Sequence, residues 1–333
     1  MRILQVNSSS TWGGGETHVE QLTENLKKRG HDVVVAGRRG SRLKPEIELP
    51  FLNSADFLTS IRLRRWIKEN RFDIVHAHVA RDYSIVAAAL WALPNPGLVF
   101  TRHLLNPIRL HFLYARVDAW IAPTSQIMST LTRFTRKVGA VIPNWVDVEK
   151  FAYAPHPAHA PITVGLLGQI SPHKGHDDAI EAARQLGGSF QLLIAGEGER
   201  SYLEQLKKKA VGLPVKFLGF ISPSEFFRQI DILIVPSWEE PFGIVLLEAM
   251  AAGIPVIATA AGGPQEIISA PTEGVLVPPR DPDALRSAIE SLANDGERMK
   301  AIVRNARARV EAHFDIQVVI PKIESVYRSL ATD

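Results

Sequence analysis

The sequence predicts an α/β protein built from two doubly wound, Rossmann-like domains facing a central cleft. Three observations predict it. Short strands that are apolar throughout alternate with amphipathic helical stretches, the pattern of parallel sheets covered on both faces. The alternation stops once, at a proline-rich stretch, and then resumes. The chain has 333 residues and 46% apolar residues, enough for two filled cores rather than one.

In the first half, residues 2–6 read as a strand. Residues 17–29 read as a helix, with Val19, Leu22 and Leu26 on one face and Gly30 as its stop. Strands follow at 33–36, 73–76, 98–101 and 119–122, and helices at 54–70, 83–91 and 126–135. Pro155, Pro157 and Pro161 crowd residues 154–161, which no sheet or helix interior tolerates. That segment is the expected linker. Beyond it, strands are expected at 162–167, 191–195, 215–218, 232–235, 256–259 and 274–277. Helices are expected near 176–185, 202–210, 225–230, 244–252 and 283–293. The tail, 297–330, reads as helical with breaks near Phe314-Asp315 and Pro321. The expected domains are 1–153 and 162–315, with 316–333 as a final helix.

Composition excludes several classes. There is no cysteine, hence no disulfide scaffold and no thiolate ligand or nucleophile. The apolar runs at 1–6 and 85–93 are too short for a signal peptide or a membrane span, so a cytoplasmic protein is expected. The net charge of +3 is uneven. Residues 1–152 carry 21 Lys+Arg against 13 Asp+Glu (+8), and the remainder 17 against 22 (−5). The first half is expected to attract anions more than the second, a solvated surface that happens to be basic being the alternative, and no nucleic-acid partner is expected.

The most informative stretch is 236–250, PSWEEPFGIVLLEAM, which leaves a strand and opens a helix. Free N–H groups near Phe242, Gly243 and Ile244 at a helix start suit an anion. Glu240 and Glu248 accept hydrogen bonds only, which suits sugar or ribose hydroxyls. Glu240 read as a plain helix cap is the competing explanation.

This stretch resembles glycosyltransferase family 4 (group 1), whose members have the GT-B fold. Glu240 and Glu248 match its E-x7-E signature. Phe217-Leu218-Gly219-Phe220, the run from Glu248 to Val256, and Gly262-Gly263-Pro264-Gln265-Glu266 are similar in the same order. The resemblance implies a retaining enzyme that moves a sugar from a nucleotide diphosphate to an acceptor. It implies an N-terminal acceptor domain, a C-terminal donor domain, and a last helix that crosses back. It places Glu240 on hydroxyls of the transferred sugar, Glu248 on the ribose, and the amides at Phe242, Gly243 and Ile244 on sugar and diphosphate.

The run Gly165 to Gly175, GLLGQISPHKG, follows the first strand of the second domain. Relatives carry an arginine after Gly168 and a lysine before the last glycine, both facing the leaving diphosphate. Lys174 matches; Gln169 stands where the arginine is expected and carries no charge. Lys174 must then do more, or Arg102, His173 or Arg280 must help. An exposed loop lysine is the plainer account of Lys174.

In the first domain, Gly13-Gly14-Gly15-Glu16 lies between strand and helix. A dinucleotide fingerprint is rejected because His18 occupies the place of the third glycine and Arg38-Arg39 replaces a ribose-binding acid. By resemblance, Gly14, Gly15 and Glu16 reach across the cleft toward phosphate and acceptor, and His103 lies near the transferred sugar. A tight turn without ligand is the alternative for the glycines, and a structural role is the alternative for His103. His76-Ala77-His78 suggests a metal pair, but no third ligand is evident in the sequence nearby, and a structural or acceptor-side role is preferred. Asp281-Pro282-Asp283 reads as a helix start rather than a metal motif. No required metal and no cofactor are expected, only a nucleotide-sugar co-substrate. Trp145 replaces a glycine of the family's P-N-G-V-D and either reshapes the acceptor side or, the preferred reading, fills a packing gap. The basic amphipathic run at 61–68 fits an anionic membrane surface or a solvated helix face.

The expected function is thus transfer to a glycan or glycolipid acceptor, with envelope polysaccharide or lipopolysaccharide assembly as its setting. The rival readings are a catalytically weak nucleotide-sugar binder, kept open by Gln169, and a GT-B nucleotide-sugar epimerase, which the E-x7-E pattern opposes.

Overall fold

The computed structural model describes residues 1–9, 13–106, 108, 112–132, 138–151 and 161–331. The linker expected at 154–161 lies outside the described residues except for Pro161. Two compact units emerge: Met1–Asn144 with Val319–Asp333, and Trp145–Val318.

The first unit runs β1 (Arg2–Asn7), α1 (Gly14–Lys28), β2 (Asp32–Arg38), β3 (Ile47–Leu49), α2 (Phe57–Asn70), β4 (Ile74–Ala77), α3 (Ala80–Ala89), β5 (Gly97–Thr101), β6 (Ala119–Ala122), α4 (Ser125–Thr132) and β7 (Val138–Val141). All seven strands are parallel, in the order β3-β2-β1-β4-β5-β6-β7. Leu4 registers against Val34 on one side and Val75 on the other. The winding reverses between β1 and β4, so the ends of these strands flank the unit's switch point, where ligands of such sheets bind. Val19, Leu22 and Leu26 are buried on α1, as their spacing predicts.

The second unit runs β8 (Ile162–Leu167), α5 (His176–Leu186), β9 (Phe190–Ala195), α6 (Arg200–Lys209), β10 (Val215–Gly219), α7 (Pro223–Phe227), β11 (Ile232–Val235), α8 (Ile244–Ala252), β12 (Val256–Thr259), α9 (Pro264–Ile267), β13 (Val275–Val277), α10 (Pro282–Ala293) and α11 (Gly296–His313). The six parallel strands take the order β10-β9-β8-β11-β12-β13, with the winding reversed between β8 and β11. Separate cores fill the two faces. One gathers Phe226, Leu246 and Met250, the other Ile180, Ile194 and Ile289. Helix α8 is apolar nearly all round and is correspondingly buried. Asp281 caps α10 by accepting from the Ala284 N–H at 2.9 Å, and Pro282 takes the first turn, as read from sequence.

The division falls at 144/145 rather than 153/154. Val146 donates to the Phe314 carbonyl and accepts from the Ile316 N–H, each at 2.9 Å, which ties this strand-like segment to the second unit. Trp145 is buried there, as a packing residue would be. Helix α12 (Ile316–Leu330) continues through Pro321 instead of breaking. Val319, Ile320, Ile323 and Tyr327 are buried on one face of it, and that burial outweighs the hydrogen bond Pro321 cannot donate. From Val319 onward the helix belongs to the first unit. The sequence reading missed β3, β7 and α9, each four residues or fewer.

Candidate active site

In the second unit the chemistry-bearing residues gather at the sheet's switch point. The loop after β8 passes through Gly168 and Gln169 and forms a short 3-10 turn at Pro172–Lys174. It then reaches Gly175, whose φ of 72° is left-handed. A Cβ there would lie 1.9 Å from the Pro236 carbonyl oxygen. Only glycine allows the two loops this approach. The loop after β11 is pinned in turn. Trp238 N–H donates to the His173 carbonyl at 2.8 Å, Glu240 N–H to the Ala261 carbonyl at 3.0 Å, and Gly263 N–H to the Glu240 carbonyl at 2.8 Å.

These approaches set Lys174 Nζ 2.6 Å from Glu240 Oε2, and Ser237 Oγ donates to the same oxygen at 3.1 Å. Glu240 is buried and Lys174 is only partly exposed. The reading of Glu240 as a helix cap is overturned. The cap residue of α8 is Gly243, at φ 101°, and no side chain caps the helix. The reading of Lys174 as an exposed loop lysine fails as well, because its side chain is half-buried and ion-paired with Glu240. The N–H groups of Phe242, Gly243 and Ile244 donate to nothing among the described residues, as expected of the first N–H groups of a helix. Glu248 lies one turn inside α8, and burial alone pushes its carboxyl up to about 7.

Gln169 is exposed and carries no charge to this loop. Of the three helpers considered, Arg280 stacks over Trp238 with its guanidinium carbon 4.4 Å from the ring centroid. The Trp238 indole N–H donates to Asp178 at 2.7 Å. His173 is exposed and shares a contact with Ser171 at 3.3 Å. Arg102 is in the first unit, buried, with its guanidinium on the Asn106 carbonyl. The motif alone gives Ser237 and Trp238 no role. Only the folded loop reveals that one holds Glu240 and the other carries Arg280.

In the first unit, Gly14 and Gly15 open α1, with Gly13 extended as its cap and Glu16 buried in the first turn. His18 follows on α1, His78 just beyond β4 and His103 just beyond β5. The ring centroids of His18 and His103 are 4.7 Å apart, those of His18 and His78 5.6 Å, and those of His78 and His103 6.0 Å. The sequence reading found no third partner for His76 and His78 because His18 and His103 are distant in sequence. Within that pair, His76 is engaged elsewhere: Nδ1 lies 2.5 Å from the Tyr327 hydroxyl and Nε2 2.6 Å from Thr101 Oγ1. Burial, and then the neighbouring Arg102, lower His103 to about 4. Burial also holds His18, His76 and His78 well below the usual histidine range. All four rings are therefore neutral at pH 7. No helix among the described residues is long and apolar enough to cross a membrane.

Residues 150–309 match the family described as Glycosyl transferases group 1, and residues 12–150 match Glycosyltransferase Family 4. The phosphatidyl-myo-inositol mannosyltransferase of Mycobacterium leprae is 31% identical, covering 96% of this chain and 94% of its own length. The glycogen synthase of Mycobacterium tuberculosis is 28% identical, covering 98% and 94%. Among solved structures, Anabaena HepE in complex with UDP and glucose superimposes with a TM-score of 0.86 at 21% identity, over 99% of this chain and all of that one. A glycosyltransferase from Rickettsia africae gives 0.89 at 22%, over 100% and 99%. At such identities the structural likeness speaks for the fold, the GT-B pairing of two Rossmann-like domains.

Proposed function

We propose that this chain, which belongs to the group 1 glycosyltransferases of family 4, retains anomeric configuration as it moves a sugar from a nucleotide diphosphate to a lipid-linked or envelope glycan acceptor. The observation that carries the reading is the meeting of Lys174, Glu240 and the N-terminal mouth of α8 at the switch point of the second sheet. In this reading the bond from the anomeric carbon to the diphosphate oxygen breaks and its electron pair leaves with the diphosphate. Lys174 and the amides at Phe242, Gly243 and Ile244 take up that charge, in place of a metal ion. Gly168 and Gln169 line the same loop, and Arg280 on Trp238 supplies the cation that Gln169 lacks. Glu240, released from Lys174, grips a hydroxyl of the transferred sugar, and Glu248 grips the ribose. The acceptor hydroxyl oxygen bonds to the anomeric carbon and its proton ends on the departing diphosphate. His103, neutral at pH 7, donates or accepts a hydrogen bond to the sugar rather than a proton.

The first unit, with Gly14, Gly15 and Glu16 at its switch point, binds the acceptor. Support for a lipid-linked acceptor comes from its excess of positive charge and from α2. Phe57, Leu58 and Ile61 are exposed at the start of that helix, with Arg62, Arg65 and Lys68 beyond them. That face suits the cytoplasmic surface of an anionic membrane. The mannosyltransferase named above bears a lipid acceptor in its name, which points the same way.

The test is a thermal-shift screen of nucleotide sugars, followed by measurement of nucleoside diphosphate release with candidate acceptors. A stabilising donor that turns over with a lipid-linked acceptor, giving a product of unchanged anomeric configuration, is expected. Tight donor binding with no turnover over a broad acceptor panel would favour the nucleotide-sugar binder that Gln169 suggests.

A further inference from the structure

We propose that His18, His78 and His103 form a binding site for a late first-row divalent cation of the zinc class, in the first unit. One nitrogen from each ring lies within 4.8 Å of the others. A chain of hydrogen bonds fixes the protonation of His78 and orients its ring. Gln5 donates from Nε2 to the Tyr327 hydroxyl at 3.2 Å, so its Oε1 is the acceptor that faces His78 Nε2 at 2.7 Å. A carbonyl oxygen only accepts, hence the proton of His78 sits on Nε2 and a lone pair on Nδ1. That Nδ1 is buried and meets no hydrogen-bond partner among the described residues, nor does His103 Nε2. His78 is 4% exposed. A ligating histidine whose other nitrogen donates to an amide or carboxylate oxygen is the usual arrangement around such ions, and it raises the basicity of the free nitrogen. Three neutral imidazoles suit zinc, nickel and copper far better than magnesium or calcium.

A tetrahedral ion at about 2.0–2.1 Å from each nitrogen needs nitrogens roughly 3.4 Å apart. The rings therefore close by up to about 1.4 Å on binding, within reach of small χ changes. Three protein ligands leave a fourth position for water or a substrate oxygen. Occupancy engages His103, so the ion withdraws that ring from any sugar it serves.

The experiment uses the full chain without a polyhistidine tag, stripped with a chelator and titrated with Co2+ and with Zn2+ against a chromophoric chelator. The expected result is one ion per chain and the visible ligand-field bands of four-coordinate cobalt. His78→Gln and His103→Gln should each weaken binding at least tenfold, while His173→Gln should leave it unchanged. Absence of stoichiometric uptake by the wild-type chain overturns the proposal without recourse to any variant. So does uptake that survives in both His78→Gln and His103→Gln. The readout is metal content and spectrum, so it stands or falls independently of whether sugar transfer is found.

Discussion

Lys174 Nζ stands 2.6 Å from Glu240 Oε2, joining the loops that leave β8 and β11 on either side of the point where the second sheet reverses its winding. The pair is held ready: each charge is largely desolvated, and each is a group that the proposed donor would claim. Lys174→Ala should lower kcat/KM by about 10²–10³, the loss that follows removal of one stabiliser of developing negative charge. It also leaves the buried Glu240 carboxylate with only Ser237 as its side-chain partner among the described residues. In urea unfolding, Lys174→Ala, Glu240→Gln and the double variant should show a coupling of about 0.5–3 kcal/mol. Additive effects would mean that the two charges do not sense each other.

A second prediction concerns the missing arginine. Gln169 is exposed on the loop beside Lys174, and Arg280 stacks on Trp238 nearby in the same unit. If Arg280 supplies the absent charge, Arg280→Ala should weaken nucleoside diphosphate binding by about tenfold, the scale of one charge-assisted hydrogen bond. Gln169→Arg should restore most of that loss in the Arg280→Ala background. Calorimetric titration with the diphosphate measures both. Equal affinities across the set would remove Arg280 from the site.

Much of this site was legible because it is local. Glu240, Gly243, Ile244 and Glu248 are neighbours on one loop and one helix, so their spacing alone places them together. Lys174 was legible as a loop cation, but not as the partner of Glu240, because that contact depends on the close approach of Gly175 to the Pro236 carbonyl. The histidine cluster was half legible. His76 and His78 stand two apart on one strand end, whereas His18 and His103 arrive through sheet order, which strand periodicity does not encode. The fold followed from alternation of apolar strands and helices wherever strands were long. It failed at β3, whose three residues centre on the exposed Glu48, and at β7, which contains Gly139.

A third prediction follows from the end of the chain. Burial alone would raise the Glu324 carboxyl, but hydrogen bonds from Arg328, Arg29 and His31 outweigh it and hold the group at about 2. The bonds from Arg29 and His31 join α12 to the end of α1 and the turn beyond it, and the bond from Arg328 lies within α12. The folded pKa lies below the ordinary value of 4.5, so the stabilisation is complete above pH 4.5 and is lost as the pH falls toward 2. The melting temperature of the first unit should therefore drop across that window. Glu324→Gln should begin lower and flatten the drop. An identical slope in both proteins would assign the acid sensitivity to other carboxylates.

The fourth prediction sets stability against function at Glu248. Its carboxyl is raised to about 7 by burial. A raised carboxyl pKa means that the folded state holds the proton more tightly than the unfolded chain. Glu248 therefore costs nothing below about pH 4.5. The penalty grows from there to about 7 and stays constant above it. Glu248→Gln keeps the shape and removes the charge. It should raise the melting temperature at pH 8 by several degrees and change it little at pH 4.5. If the carboxylate holds the donor ribose, the same substitution should weaken donor binding by tenfold or more at pH 8, because an amide nitrogen replaces one of its two acceptor oxygens. Scanning calorimetry at the two pH values and donor titration at pH 8 measure the pair of effects. Gain in stability with unchanged donor affinity would separate Glu248 from the ligand and leave its burial unexplained by function.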